Sequence, residues 1–224
     1  VRVADDVDRE LLGRGRERGQ HRFHLRARGL RAGPARQCFA GGRDGLQDQR
    51  FPRGALVLSD SGQLGGEIMK DALSFGFEIV GFEKDELDVT NDLQIKEKLE
   101  KAKPDILINT SAYLVVPKCE EHPIDAMKVN FLAVRNLAEF CKKRKIIFLT
   151  YSTDYVFDGK KGNPYEEGDK PNPLQMYGLS KLAGEYAALN LYPEGTFLIR
   201  TCGLYGGEKG SPEKGGNFVL NIMK

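Results

Sequence analysis

Tyr177-Gly178-Leu179-Ser180-Lys181 places a phenol and an ammonium four residues apart. On a helix that spacing stacks both on one face, within reach of one small molecule. Upstream, Tyr151-Ser152-Thr153-Asp154-Tyr155-Val156-Phe157-Asp158-Gly159 supplies two hydroxyls just after a strand-like run, Ile146-Ile147-Phe148-Leu149. A hydroxyl, a phenol and a lysine meeting at a strand end form a proton-delivery device for a carbonyl. Thr153, or Ser152 in its place, would hold the carbonyl oxygen, and Tyr177 would pass it a proton as hydride reaches the carbon. A free tyrosine, with a pKa near ~10, exchanges protons poorly at neutral pH. A Lys181 ammonium beside it is expected to favour the phenolate and lower that value. The lysine can also hydrogen-bond ribose hydroxyls. Y-x-x-x-K alone is common on solvated helix faces, so the weight rests on what surrounds it.

The surroundings read as alternating short strands and helices. Strand runs are Ala55–Leu58, Phe77–Phe82, Pro104–Asn109, Ile146–Leu149 and Thr196–Arg200. Helical stretches run from the glycine turn at 62–65 to Leu73, from Thr90 to Lys101, from Ile124 to Lys143 and from Gln175 to Leu189. Thr90 or Asn91 is the expected N-cap of the second helix. Gly162–Pro173 is a polar loop. This alternation predicts an α/β fold, a Rossmann-like doubly wound parallel sheet covered on both faces.

Such a fold can supply the hydride by holding a dinucleotide. Gly62-Gln63-Leu64-Gly65 follows the first strand and opens a helix, as a pyrophosphate turn does. Ser59 stands at the first glycine of the expected G-x-x-G-x-x-G pattern, and its Cβ resists positive φ. Glu83, at the end of the second strand, is placed to accept from an adenosine ribose; adjacent Lys84 would favour a 2′-phosphate. NADH and NADPH both stay open. Asp88 is placed either against the adenine or in a turn leading into the helix cap.

Composition narrows the alternatives. The net charge of +2 implies no general attraction to nucleic acid or membrane. It conceals a break: residues 1–54 carry 13 Arg, no Lys and 7 Asp+Glu, whereas the remainder is Lys-rich and net acidic. The glycine-broken 1–54 segment is expected to be a disordered or non-native extension. Four scattered cysteines and three histidines show no metal-ligand spacing and fit a reducing, cytoplasmic setting.

From Ala55 onward the chain resembles the extended short-chain dehydrogenase/reductases, and among them the dTDP-4-dehydrorhamnose reductases. The resemblance is carried by Gly62-Gln63-Leu64-Gly65, Leu87-Asp88-Val89-Thr90, Lys103-Pro104-Asp105, Ala112-Tyr113 and Val129-Asn130. It continues through the 152–159 run, Asn172-Pro173-Leu174, Tyr177-Gly178, Ser180-Lys181, Arg200-Thr201, Tyr205-Gly206 and Asn217-Phe218. It implies a Thr153, Tyr177, Lys181 catalytic triad. A cofactor site of Ser59, Gly62, Gln63, Leu64, Gly65, Glu83, Asp88, Ala112 and Tyr113 is implied with it, and Tyr177 and Lys181 reach the nicotinamide ribose. Asn130 would support the centre from its helix, and Ser152, Asp154, Tyr155 and Asn217 fall on the substrate side.

The implied reaction is NADH- or NADPH-dependent reduction of a dTDP-4-keto-sugar, with a homodimer as one permitted assembly. The implied division is 1–54 extension, 55–205 dinucleotide-binding domain and 206–224 the start of a truncated substrate lobe. Gly203 stands where that family usually has Trp. A non-catalytic relative, like the regulatory subunit of methionine adenosyltransferase, is the competing expectation.

Overall fold

The computed structural model describes residues 54–204; expectations for the N-terminal segment, the 206–224 lobe and Asn217 lie outside the described residues. Strand β1 (Gly54–Leu58) leads through a turn to helix α1 (Gln63–Ser74) and strand β2 (Glu78–Phe82). Helix α2 (Asp92–Ala102) leads to strand β3 (Ile106–Asn109). The five-stranded sheet is parallel, in the order β2-β1-β3-β4-β5, with β4 at Ile147–Thr153 and β5 at Thr196–Thr201. This is the expected doubly wound sheet. The crossover that leaves β1 runs to one side, toward β2, and the crossover that leaves β3 runs to the other, toward β4. The crevice at the carboxyl ends of β1 and β3 is therefore the switch point, where such folds bind ligands.

The central strands are apolar because both faces are covered. Leu56, Val57, Leu58, Leu107 and Phe148 are buried, and Leu99, Leu137 and Ala138 pack on them from α2 and helix α5 (Val134–Arg144). At ~25 cal/mol per Å2 of apolar area, each such side chain contributes roughly 1.5–3 kcal/mol of burial. Asn91 is the N-cap of α2, its Oδ1 accepting from Leu93 N and Gln94 N.

Three elements differ from the sequence reading. A six-residue helix α3 (Val116–Glu121) occupies a stretch with no predicted element; Pro117 suits its first turn, where the missing N–H costs nothing. The long helix expected from Ile124 to Lys143 is divided. Helix α4 (Pro123–Met127) passes into a π-helical segment, Lys128–Ala133, before α5 begins. Strand β4 runs on to Thr153, so Ser152 and Thr153 end the strand rather than follow it.

The turn after β1 shows the physical meaning of its glycines. A Cβ on Gly65 would lie 2.3 Å from the Ser59 carbonyl oxygen, so only glycine lets α1 start this close to β1. Ser59 itself takes φ 63, the left-handed region its side chain disfavours. Its backbone is held there by Ser59 N donating to Phe82 O at 2.9 Å. The strain expected from the sequence is thus present. Ser59→Gly should raise the unfolding free energy by up to roughly 1 kcal/mol in denaturant melts, the relief being partly offset by a freer unfolded chain. A drop in stability would show that the serine side chain contributes more than its backbone costs.

Candidate active site

Helix α6 (Met176–Leu191) carries Tyr177 and Lys181 one turn apart, beside the end of β4. Gly178 makes this approach feasible: a Cβ there would lie 2.1 Å from the Tyr155 carbonyl oxygen. Thr153 ends β4 and caps the 3-10 turn Asp154–Val156, its Oγ1 accepting from Tyr155 N at 3.2 Å and donating to Asp154 Oδ1 at 3.0 Å. The Tyr155 ring meets the Tyr177 ring edge-on, with centroids 5.7 Å apart. Thr153, Tyr155 and Tyr177 therefore converge, with Asp154 beside them.

The electrostatics correct one expectation. The Tyr177 phenol is raised overall rather than lowered. Burial pushes it up to about 12, with the Thr153 hydroxyl pulling in the opposite direction. Burial likewise pulls Lys181 down to about 8, opposed by the Glu185 carboxylate. The two side chains are thus dominated by desolvation. Tyr177 is a protonated acid throughout the neutral range, the form that donates to a carbonyl oxygen. Lys181 is charged at pH 7 and begins to lose that charge just above it.

Asn130 ties this centre to the switch-point crevice. Its Oδ1 accepts from Tyr113 N at 2.9 Å, while its Nδ2 donates to Tyr113 O and to Ser180 Oγ, each at 2.9 Å. Ser180 in turn donates to Tyr177 O at 2.8 Å. The π-helical segment brings Asn130 toward α6, and Gly184 admits it: a Cβ there would sit 2.2 Å from the Asn130 carbonyl oxygen. Segments of π-helix recur at functional sites for this kind of local re-aiming.

The cofactor-side residues fall around β1 and β3. Gly62 is the N-cap of α1, with no side-chain cap and no acidic residue in the first turn. Gln63, Leu64 and Gly65 form that first turn. Ala112 and Tyr113 follow β3. Glu83 is exposed just past β2, its backbone N donating to Glu86 Oε2. Asp88 sits in a turn: its Oδ1 accepts from Thr90 N and Thr90 Oγ1, both at 2.8 Å, and the backbone bond from Thr90 is the main cause holding its carboxyl below the usual range.

Sequence reasoning gave no site role to Asp60, Cys119, Glu185 or Arg200, although Arg200 falls within the motifs that carry the resemblance. Asp60 lies against Gly81 near the end of β2 and keeps Oδ1 buried without a partner. Cys119 is a buried thiol beside the Tyr113 carbonyl oxygen. Glu185 and Arg200 form a buried ion pair treated below. Their burial, rather than their residue type or spacing, is what marks them.

A family model described as "RmlD substrate binding domain" matches residues 54–224. The chain belongs to that family. It is similar to dTDP-4-dehydrorhamnose reductase from Streptomyces griseus, 34% identical over 169 residues, covering 75% of this chain and 54% of that protein. The solved dTDP-4-dehydrorhamnose reductase from Bacillus anthracis, in complex with NADP, superposes with a TM-score of 0.71 at 30% identity, covering 78% of this chain and 60% of that one. The corresponding Clostridium acetobutylicum structure gives a TM-score of 0.68 at 34% identity, covering 75% and 59%. The chain spans about half the length of the curated relatives it matches. Among the described residues, no helix is long and apolar enough to cross a membrane.

Asn130→Ala should destabilise the protein by roughly 3 kcal/mol, because it removes three hydrogen bonds, two to the backbone of Tyr113 and one to Ser180 Oγ. Chemical denaturation measures this. A loss below about 1 kcal/mol would mean that water replaces the amide without penalty.

Proposed function

We propose that this chain carries the reductase centre for a dTDP-4-keto-sugar, reducing the 4-keto group of dTDP-4-dehydro-L-rhamnose with NADH or NADPH. The observation that carries the reading is Tyr177 one helical turn before the buried Lys181 on α6, with its phenol hydrogen-bonded to Thr153 at the end of β4. Catalytic roles fall to those three residues.

A dinucleotide fits the residues present. No side chain caps the start of α1, so its backbone N–H groups and dipole can face a pyrophosphate. Gly65 leaves no side chain between that turn and β1, and Gly62 and Ser59 line the approach. The unpartnered Asp60 Oδ1 and exposed Glu83 put acceptors near the end of β2 for ribose hydroxyls. Gln63, Leu64, Asp88, Ala112 and Tyr113 complete this side. When bound, the nicotinamide supplies the hydride.

The chain's own residues then do the proton chemistry. Tyr177 donates its phenolic proton to the developing alkoxide at the carbonyl oxygen, and Thr153 donates a hydrogen bond to that same oxygen after turning from Asp154. The Lys181 ammonium stabilises the phenolate left behind and orients ribose hydroxyls. Ser152, Asp154 and Tyr155 lie on the sugar side. A cytoplasmic location, where the described free thiols stay reduced, agrees with this reading, and a homodimer is compatible with it.

Two outcomes follow. Tyr177→Phe removes the proton donor and should cut turnover about a hundredfold or more while NADH binding, read by fluorescence, is retained. Unchanged turnover would overturn the reading. The pH profile of kcat/KM should fall on an alkaline limb near the Lys181 value of about 8 and show no limb from Tyr177 below pH 10. A limb placed well above pH 10 would show that the neutral lysine suffices.

A further inference from the structure

Glu185 lies one helical turn beyond Lys181 on α6 and is 3% exposed. It faces Arg200 on β5 in a bidentate pair: Arg200 Nε donates to Oε1 at 2.9 Å and Nη2 to Oε2 at 2.5 Å. Arg200 cannot easily swing away, because its guanidinium lies 5.1 Å from the Phe157 ring centroid and its side chain is only 12% exposed. Lys181 and Glu185 share a narrow pocket with Asn130, Thr150, Tyr151 and Ser152. A pair this deep is weak evidence for stability, since desolvation offsets much of its attraction. Its placement suggests another purpose. The Glu185 carboxylate, one turn along the same helix and in the same pocket, is the charge that opposes the effect of burial on the Lys181 ammonium, and Arg200 holds that carboxylate still.

We propose that Glu185 is a positioning residue: its pairing with Arg200 fixes a negative charge one turn from Lys181 and so keeps that lysine charged and in place beneath Tyr177. The proposal rests on the reductase reading of Lys181, yet its test does not depend on turnover. Other groups near Lys181 are Tyr177 on its own helix, Tyr151 on β4 and, toward Tyr177, Cys119 on α3, with Arg200 of β5 beyond Glu185; the π-helical segment and α5 present the uncharged Asn130 and Val134. All of them remain when Lys181 alone is replaced.

The experiment measures unfolding free energy against pH for the full chain and for Lys181→Met, and takes the difference. Lys181 sits near 8 when folded and near its ordinary 10.5 when unfolded. Between those values the unfolded chain binds more protons, so the cost of the buried ammonium, fully present below pH 8, is relieved as pH rises. The wild-type difference should therefore climb from about pH 8. In a Glu185→Gln background the climb should start roughly one pH unit lower, because the ammonium has lost its anion. Glu185→Asp should restore the wild-type onset.

An unchanged onset in Glu185→Gln overturns the proposal, even if that variant is less stable. Should Glu185→Gln not fold, the double replacement Glu185→Met/Arg200→Met supplies an apolar pair in the same space. It too should show an acid-shifted onset, and a wild-type onset there would equally overturn the role. A normal shift accompanied by no reductase turnover would sink the reductase reading and leave this inference standing.

Discussion

Asn130 distributes one buried amide over three partners in two places: both backbone groups of Tyr113 after β3, and the Ser180 hydroxyl on α6. Those places belong to different functions. Tyr113 borders the switch-point crevice, and Ser180 sits between Tyr177 and Lys181. Both polar atoms of the amide are engaged, as buried polar groups are in native structures. The helix carrying Asn130 must bulge to bring it there, and α6 must lack a side chain at Gly184 to receive it. One hydrogen-bonding requirement thus sets the local form of two helices.

Desolvation is the second governing effect. It drives the two titrating residues toward their neutral forms, and the consequences differ. In the proposed reaction Tyr177 works in its neutral form, as an acid ready to donate. Lys181 works there in its charged form, and the same burial opposes it. The Glu185–Arg200 pair lies where such opposition needs an answer, between the lysine's helix and the last described strand.

The parallel sheet was legible because fully covered strands are short apolar runs between turn residues, and β1, β3 and β4 are of that kind. The placement of the triad candidates was partly legible: helical spacing put Tyr177 and Lys181 on one helix, as α6 does, while Thr153 was read as following the strand that it in fact ends. The π-helical segment was not. Met127, Phe131, Val134, Leu137 and Ala138 fit helical periodicity across it, and one wider turn barely disturbs that pattern. Helix α3 is too short for periodicity to register. Glu185 and Arg200 are 15 residues apart and of types usually solvated, so their pairing shows only once α6 packs on β5. The direction of the Tyr177 shift was missed because a spacing shows a neighbour's charge and not the depth of burial.

The central claim is that these residues deliver a proton to a sugar ketone as a hydride arrives at its carbon. The most direct measurement uses NADH or NADPH deuterated at the transferable nicotinamide position, with dTDP-4-dehydro-L-rhamnose, and locates the label in the sugar by NMR. The account predicts one deuterium on C4 of the product and none elsewhere. Cofactor that binds yet leaves the sugar unlabelled, or label at another carbon, would contradict it.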